Sequence, residues 1–141
     1  MSSEDNKALV QRFFDEVING GNIDLIDELL TDDFVEHEEF PGLEPNREGV
    51  KQFFRTFRSA FPDGTFTPEE MIAEGDTVAV RVTIRGTHQG EFVGVPATGK
   101  SVEVTAIDFI HCKDGKLTAH WGVGDMLSMM QQLGAMPAPA A

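Results

Sequence analysis

The run from Ile107 to Asp125 concentrates the residues able to do chemistry. It carries two of the four histidines, His111 and His120, the only tryptophan, Trp121, and an aspartate where an alternating pattern gives way to a helical one. Ionisable groups set among apolar ones are where shifted pKa values arise. A carboxylate in an apolar pocket can act as a general base, and a nearby imidazole can orient it or hydrogen-bond the substrate. Asp125 has two readings: the N-cap of the last helix, since Asp is a favoured cap, or an acid/base group beside Gly122 and Gly124, which leave room for a ligand. His111 reads as a core or strand-end histidine, or as a partner of Asp125. His37 lies in an acidic patch with Glu36, Glu38 and Glu39, so it reads as a solvated loop residue or as a pocket residue. His88 reads as structural or as a rim residue. Trp121 reads as core or as a flat wall for an aromatic ligand.

Other chemistries lack their motifs. The histidines are far apart and no HxxxH or CxxC spacing occurs, so no metal site is expected. Without GxGxxG, Walker or GxSxG patterns, neither a nucleotide cofactor nor a serine nucleophile is expected. Cys112 has His111 beside it, but a strand would point the two side chains opposite ways.

The elements that position these residues can be read from periodicity. Ser2 or Ser3 can cap a first helix in which Leu9, Val10, Phe13, Phe14 and Val17 form one stripe, ended by Gly20-Gly21. Asn22 is expected to cap a short second helix with Ile23, Ile26, Leu29 and Leu30 inward. An extended piece over 34–40 carries His37. Asn46 then caps a third helix burying Val50, Phe53, Phe54, Phe57 and Ala60. Beyond Pro62-Asp63-Gly64 the period becomes two. Strands are expected over 66–74, weakened by Pro68, and over 77–87, 100–112 and 116–123. A short helix follows from Asp125. Helices first and hairpin-linked strands afterwards indicate an α+β fold.

The turn at Lys113-Asp114-Gly115 admits two registers. A two-residue loop pairs Lys113 with Lys116, and a three-residue loop pairs Cys112 with Lys116. A one-residue slip changes which side chains share a face. The three-residue register is favoured because it gathers Ile107, Phe109, His111, Leu117, Ala119 and Trp121 on one face. Asp108 and His120 then oppose each other on the other face as a charged pair.

Composition narrows the possibilities. The 141 residues suit one domain, expected over 1–135 with a loose tail over 136–141, and 40% hydrophobic residues with 11 Phe can build a sizeable core. A net charge of -13 argues against nucleic acid and anionic membrane partners. A single cysteine and a polar, acidic N-terminus fit the cytoplasm, and no apolar run approaches a membrane span.

A set of short pieces, in order along nearly the whole chain, resembles the SnoaL-like polyketide cyclases, a branch of the cone-shaped folds related to nuclear transport factor 2. They are Phe34-Val35-Glu36-His37, Glu48-Gly49-Val50-Lys51-Gln52-Phe53-Phe54, Gly86-Thr87-His88-Gln89-Gly90-Glu91-Phe92, Pro96-Ala97-Thr98-Gly99-Lys100, Asp114-Gly115-Lys116-Leu117, His120-Trp121 with Asp125, and Gln132-Leu133-Gly134. The resemblance implies N-terminal helices packed on a strongly curved, mainly antiparallel sheet that encloses a pocket. It implies a cofactor-free cyclase closing a ring by intramolecular aldol condensation of a hydrophobic, polyketide-like substrate. It places the catalytic acid/base at Asp125, with His111 and His37 assisting, and the substrate against Trp121, Phe109, Phe53, Phe57 and His88. It also implies a homodimer or higher homo-oligomer, the dimer forming through the outer sheet face that bears Arg81. An isomerase or hydrolase on the same scaffold, or a non-catalytic small-molecule binder, are the alternatives.

Overall fold

The computed structural model describes residues 2–137. Helix α1, Ser3–Arg12, starts at a capping box in which the Ser2 hydroxyl accepts from Asp5 N and the Asp5 carboxylate accepts from Ser2 N. It continues into a π-helical segment, Phe13–Asn19, whose wider turn buries Phe13, Phe14, Val17 and Ile18 together. Gly21 at φ 75° then reverses the chain. A 3₁₀ turn, Ile23–Leu25, runs into α2, Ile26–Leu29. Asn22 makes no side-chain cap here, and Leu30 opens strand β1, Leu30–Glu36, instead of closing the helix. Helix α3, Arg47–Ala60, is capped as expected by the Asn46 side chain, which accepts from Gly49 N.

Strands β2 (Thr65–Glu74), β3 (Thr77–Thr87), β4 (Ser101–Lys113) and β5 (Lys116–Gly124) follow, then α4, Met126–Gln132. The sheet order is β1-β5-β4-β3-β2, antiparallel except that β1 runs parallel to β5. Pro68 lies in the edge strand β2, where a residue without an N–H is tolerated, and the register slips between Pro68 and Glu70. The helices cover the inner face. Val78, Val80, Val82, Ala106 and Ile110 of the sheet pack there against Val10, Phe14 and Val17. The expected α+β architecture is the one observed. Of the expected tail, residues from 138 on lie outside the described residues. No described helix is long and apolar enough to cross a membrane.

The β4–β5 hairpin corrects the favoured register. Lys113 pairs with Lys116, so the loop is the two-residue Asp114-Gly115, at φ 51° and 79°. Two successive left-handed residues are what a tight hairpin of this kind requires. A bulge then intervenes, because Cys112 pairs with Leu117 but His111 with Ala119. The extra residue re-aims β5. Leu117 turns into the core, while Ile107, Phe109, His111, Ala119 and Trp121 still share a face. That face is the outer one: Phe109 is 53% and Trp121 38% exposed.

Candidate functional site

Inside the curve of the sheet lies a cavity of about 320 Å³. The π-helical segment contributes Phe13, Phe14 and Ile18 to its wall, and α3 contributes Val50, Phe53, Phe54 and Phe57. Phe57 and Phe66 pack edge to face with centroids 4.9 Å apart, and Phe54 and Phe66 do so at 5.9 Å. Among the described residues no lysine or arginine lines the cavity. Its polar lining includes Glu36, Glu38, Asp108 and His120.

These four come together from three strands and a loop. On β5, His120, Gly122 and Gly124 follow the bulge onto the inner face, and on β4 Asp108 alternates inward with Ala106 and Ile110. On β1 the inward alternation Phe34, Glu36 continues to Glu38 just past the strand. Asp108 sits opposite Gly122 and His120 opposite Ile110, so the Asp108 and His120 side chains meet on the diagonal. The His120 Nε2–H donates to Asp108 Oδ1 at 2.8 Å, and its Nδ1–H donates to Glu36 Oε1 at 2.5 Å. Burial disfavours charge on the His120 ring. The hydrogen bonds to Asp108 and Glu36 and the charges of both carboxyls outweigh it, raising its pKa to about 10. His120 is therefore an imidazolium at neutral pH, with both N–H groups spent on carboxylates.

Glu38 completes the group. Its carboxyl lies over Gly122, where a Cβ would come within 2.4 Å of Glu38 Oε1 and 2.5 Å of Asp108 Oδ1. Only glycine leaves that space. Desolvation raises the Glu38 pKa to about 7; His120 opposes the shift while Asp108 and Glu36 add to it. Glu38 can thus exchange a proton near neutral pH, inside an apolar cavity.

Glu38, Asp108 and His120 also present one ligand atom each within 4.8 Å of one another. Residues so far apart in sequence leave no spacing signal. A cation at His120 would have to displace a proton from an imidazolium held by two carboxylates.

The expected site residues divide. Phe53 and Phe57 line the cavity. His111, Trp121 and Phe109 lie on the outer face, where the bulge and the pleat put them, and Phe109 and Trp121 are therefore not cavity walls. His37 is exposed and stacks on Trp121 at 4.2 Å and 3°, with His111 tilted against the same indole at 4.6 Å. Asp125 is exposed and caps α4, its Oδ1 accepting from Ser128 N at 3.1 Å. His88 is fully buried away from the cavity. Its Nδ1 accepts from Thr98 N, its ring packs 5.3 Å from Phe61, and it holds the two ends of the β3–β4 loop together.

Sequence reading therefore missed Glu36, Glu38, Asp108 and His120 as a site. The available signal is the continued inward alternation Phe34, Glu36, Glu38 and the Asp108–His120 pair, which the favoured register places on the face away from the pocket.

The SnoaL-like polyketide cyclase family model matches residues 8–133. The chain belongs to the SnoaL-like polyketide cyclase family. The aklanonic acid methyl ester cyclase of Streptomyces sp. (strain C5) is 32% identical over 133 residues, covering 89% of this chain and 80% of that protein. TsrD from Streptomyces laurentii superposes with a TM-score of 0.87 at 28% identity, covering 96% of this chain and 99% of that one. Wild-type IdmH from Streptomyces antibioticus gives a TM-score of 0.80 at 33% identity, covering 92% and 98%. The shared fold is the one described above, helices packed on a single five-stranded sheet.

Proposed function

We propose that this SnoaL-like protein is an enzyme that closes a ring in a hydrophobic, polyketide-like molecule by intramolecular aldol ring closure without loss of water, with Glu38 carrying the proton. The observation that carries the reading is a partly buried carboxyl with a pKa of about 7 in a phenylalanine-lined cavity. The Glu38 carboxylate removes a proton from a carbon between two carbonyl groups. The enolate carbon attacks a second carbonyl of the same molecule, forming a carbon–carbon bond and an alkoxide. Glu38, now protonated, returns the proton to that oxygen. The product is an isomer of the substrate, and no electron is gained or lost. The cavity wall, including Phe53, Phe54 and Phe57, holds the chain folded so that the two reacting carbons stay close, which supplies much of the rate. His120 has no free N–H for the substrate and acts through its charge, beside Asp108.

Asp125 is the alternative base, assisted by His111 and His37. It fits the resemblance but reaches the substrate only if the ligand extends to the strand end. The relative's name supplies an assay substrate, aklanonic acid methyl ester. Glu38→Gln and Asp125→Asn are compared for turnover and melting temperature. Loss with Glu38→Gln alone supports the reading. Loss with Asp125→Asn alone, in a protein that melts normally, transfers the role to Asp125. Binding without turnover by the unmodified protein makes it a small-molecule carrier.

A further inference from the structure

We infer that Glu36 is the positioning residue of the site, tying Glu38 and His120 together through a single carboxylate oxygen. The inference rests on Glu38 being the proton-transfer group. Strand β1 ends at Glu36, and the chain must still deliver Glu38 over Gly122. Three contacts hold the segment. Glu36 N donates to Pro45 O at 3.1 Å, and His37 N donates to His120 O at 2.8 Å. Glu38 N, beyond the ladder, donates to Glu36 Oε1 at 3.0 Å. The same oxygen accepts from His120 Nδ1 at 2.5 Å. One atom therefore sets the backbone of residue 38 and the orientation of the imidazolium, whose other N–H then points at Asp108.

The charged groups facing Glu38 are Glu36 from β1, Asp108 from β4 and His120 from β5. Glu39 and Glu44 of the β1–α3 connection line the same cavity. Glu36 thus has an electrostatic role separable from its geometric one. Its charge pushes the Glu38 pKa up and the His120 pKa up, while its oxygen fixes where both groups lie.

Glu36→Gln and Glu36→Ala separate the two roles. Glutamine keeps an oxygen acceptor of the same reach and removes the charge. In the full chain, NMR titration of carboxyl-labelled glutamate and ring-labelled histidine follows Glu38 and His120 without any substrate. In Glu36→Gln both midpoints should move to lower pH, with the Glu38 amide still protected from hydrogen exchange. In Glu36→Ala that amide should exchange at least about tenfold faster, the weight of a lost hydrogen bond to a charged acceptor. A Glu38 midpoint that stays put in Glu36→Gln, or an amide equally protected in Glu36→Ala, overturns the inference. If neither variant folds, the unmodified protein decides. A Glu38 amide exchanging as fast as its exposed neighbours means the bond to Glu36 does not hold the segment. Because none of these readouts needs turnover, an inactive protein with the expected titrations would sink the proposed function and leave the positioning role standing.

Discussion

The two faces of the β4–β5 hairpin carry similar residue types put to different use. On the inner face His120 is bracketed by Glu36 and Asp108, among apolar walls. On the outer face Trp121 is flanked by His37 and His111, beside the exposed Ile107, Phe109 and Val123. In the inner group proton affinities shift strongly, His120 to about 10 and Glu38 to about 7. The lesson is that desolvation and carboxylate partners together set a titratable group apart. The outer face instead presents a patch of the kind that pairs proteins.

The sharpest break of this comparison is Glu38→Gln. Glutamine keeps the shape but cannot carry the proton, so turnover should fall by roughly a hundredfold to ten-thousandfold. Turnover within a factor of two of the unmodified protein would remove the inner face from the chemistry.

Gly122→Ala comes next. Its Cβ would meet the Glu38 and Asp108 oxygens at 2.4 and 2.5 Å, so both carboxyls must move. A displacement of about 1 Å at a reacting group can lower the rate by on the order of a hundredfold. Kinetics alongside circular dichroism checks that the fold survives.

Stability should also depend on pH through the inner group. Glu38 has a folded pKa of about 7 against the ordinary 4.5 of a solvated glutamate, so the native state holds its proton more tightly. Its contribution is present at low pH and lost as pH rises from 4.5 through about 7. His120 is likewise raised, from 6.5 to about 10, so its contribution is present below 6.5 and lost as pH rises through about 10. Melting temperature should therefore fall with rising pH in two stages. Glu38→Gln should erase the lower one. A flat profile between pH 5 and 9 would contradict both shifts.

For the outer face, the expected homodimer gives a milder test. Arg81 there pairs loosely with Glu70 at 3.7 Å at the margin of the apolar patch. Phe109→Glu should convert a dimer to a monomer in sedimentation without unfolding the chain, since Phe109 is 53% exposed. A monomeric unmodified protein at micromolar concentration would leave the patch without this role.

The smallest effect is expected from Asp125→Asn. Asn and Asp are comparable N-caps, so melting should shift by only a few tenths of a kcal/mol. Turnover should hold if the inner face does the chemistry.

Local sequence determined the elements. Ser2 and Asn46 cap their helices through their own side chains, the Val78–Ile84 alternation fills the inner face, and Asp125 starts α4. Periodicity and capping are set by neighbours within a few residues, so they can be read from one strand of text. Which face of the hairpin looks inward was decided elsewhere. Asp114-Gly115 and the three-residue loop are both plausible turns, and the bulge between His111 and Cys112 shifts every pairing beyond it. The inner cluster depended on more remote partners still. Glu36 and Glu38 read locally as a solvated acidic patch, and are partly withdrawn from water because β1 docks parallel to β5 with Glu36 beside His120. Gly122 reads as leaving room for a ligand, and the structure fills that room with the Glu38 and Asp108 carboxyls. The chain's own text specified the carboxyls and the imidazole. Only the packing of strands far apart in sequence removed them from water and set their protons against one another, because desolvation and charge act through space.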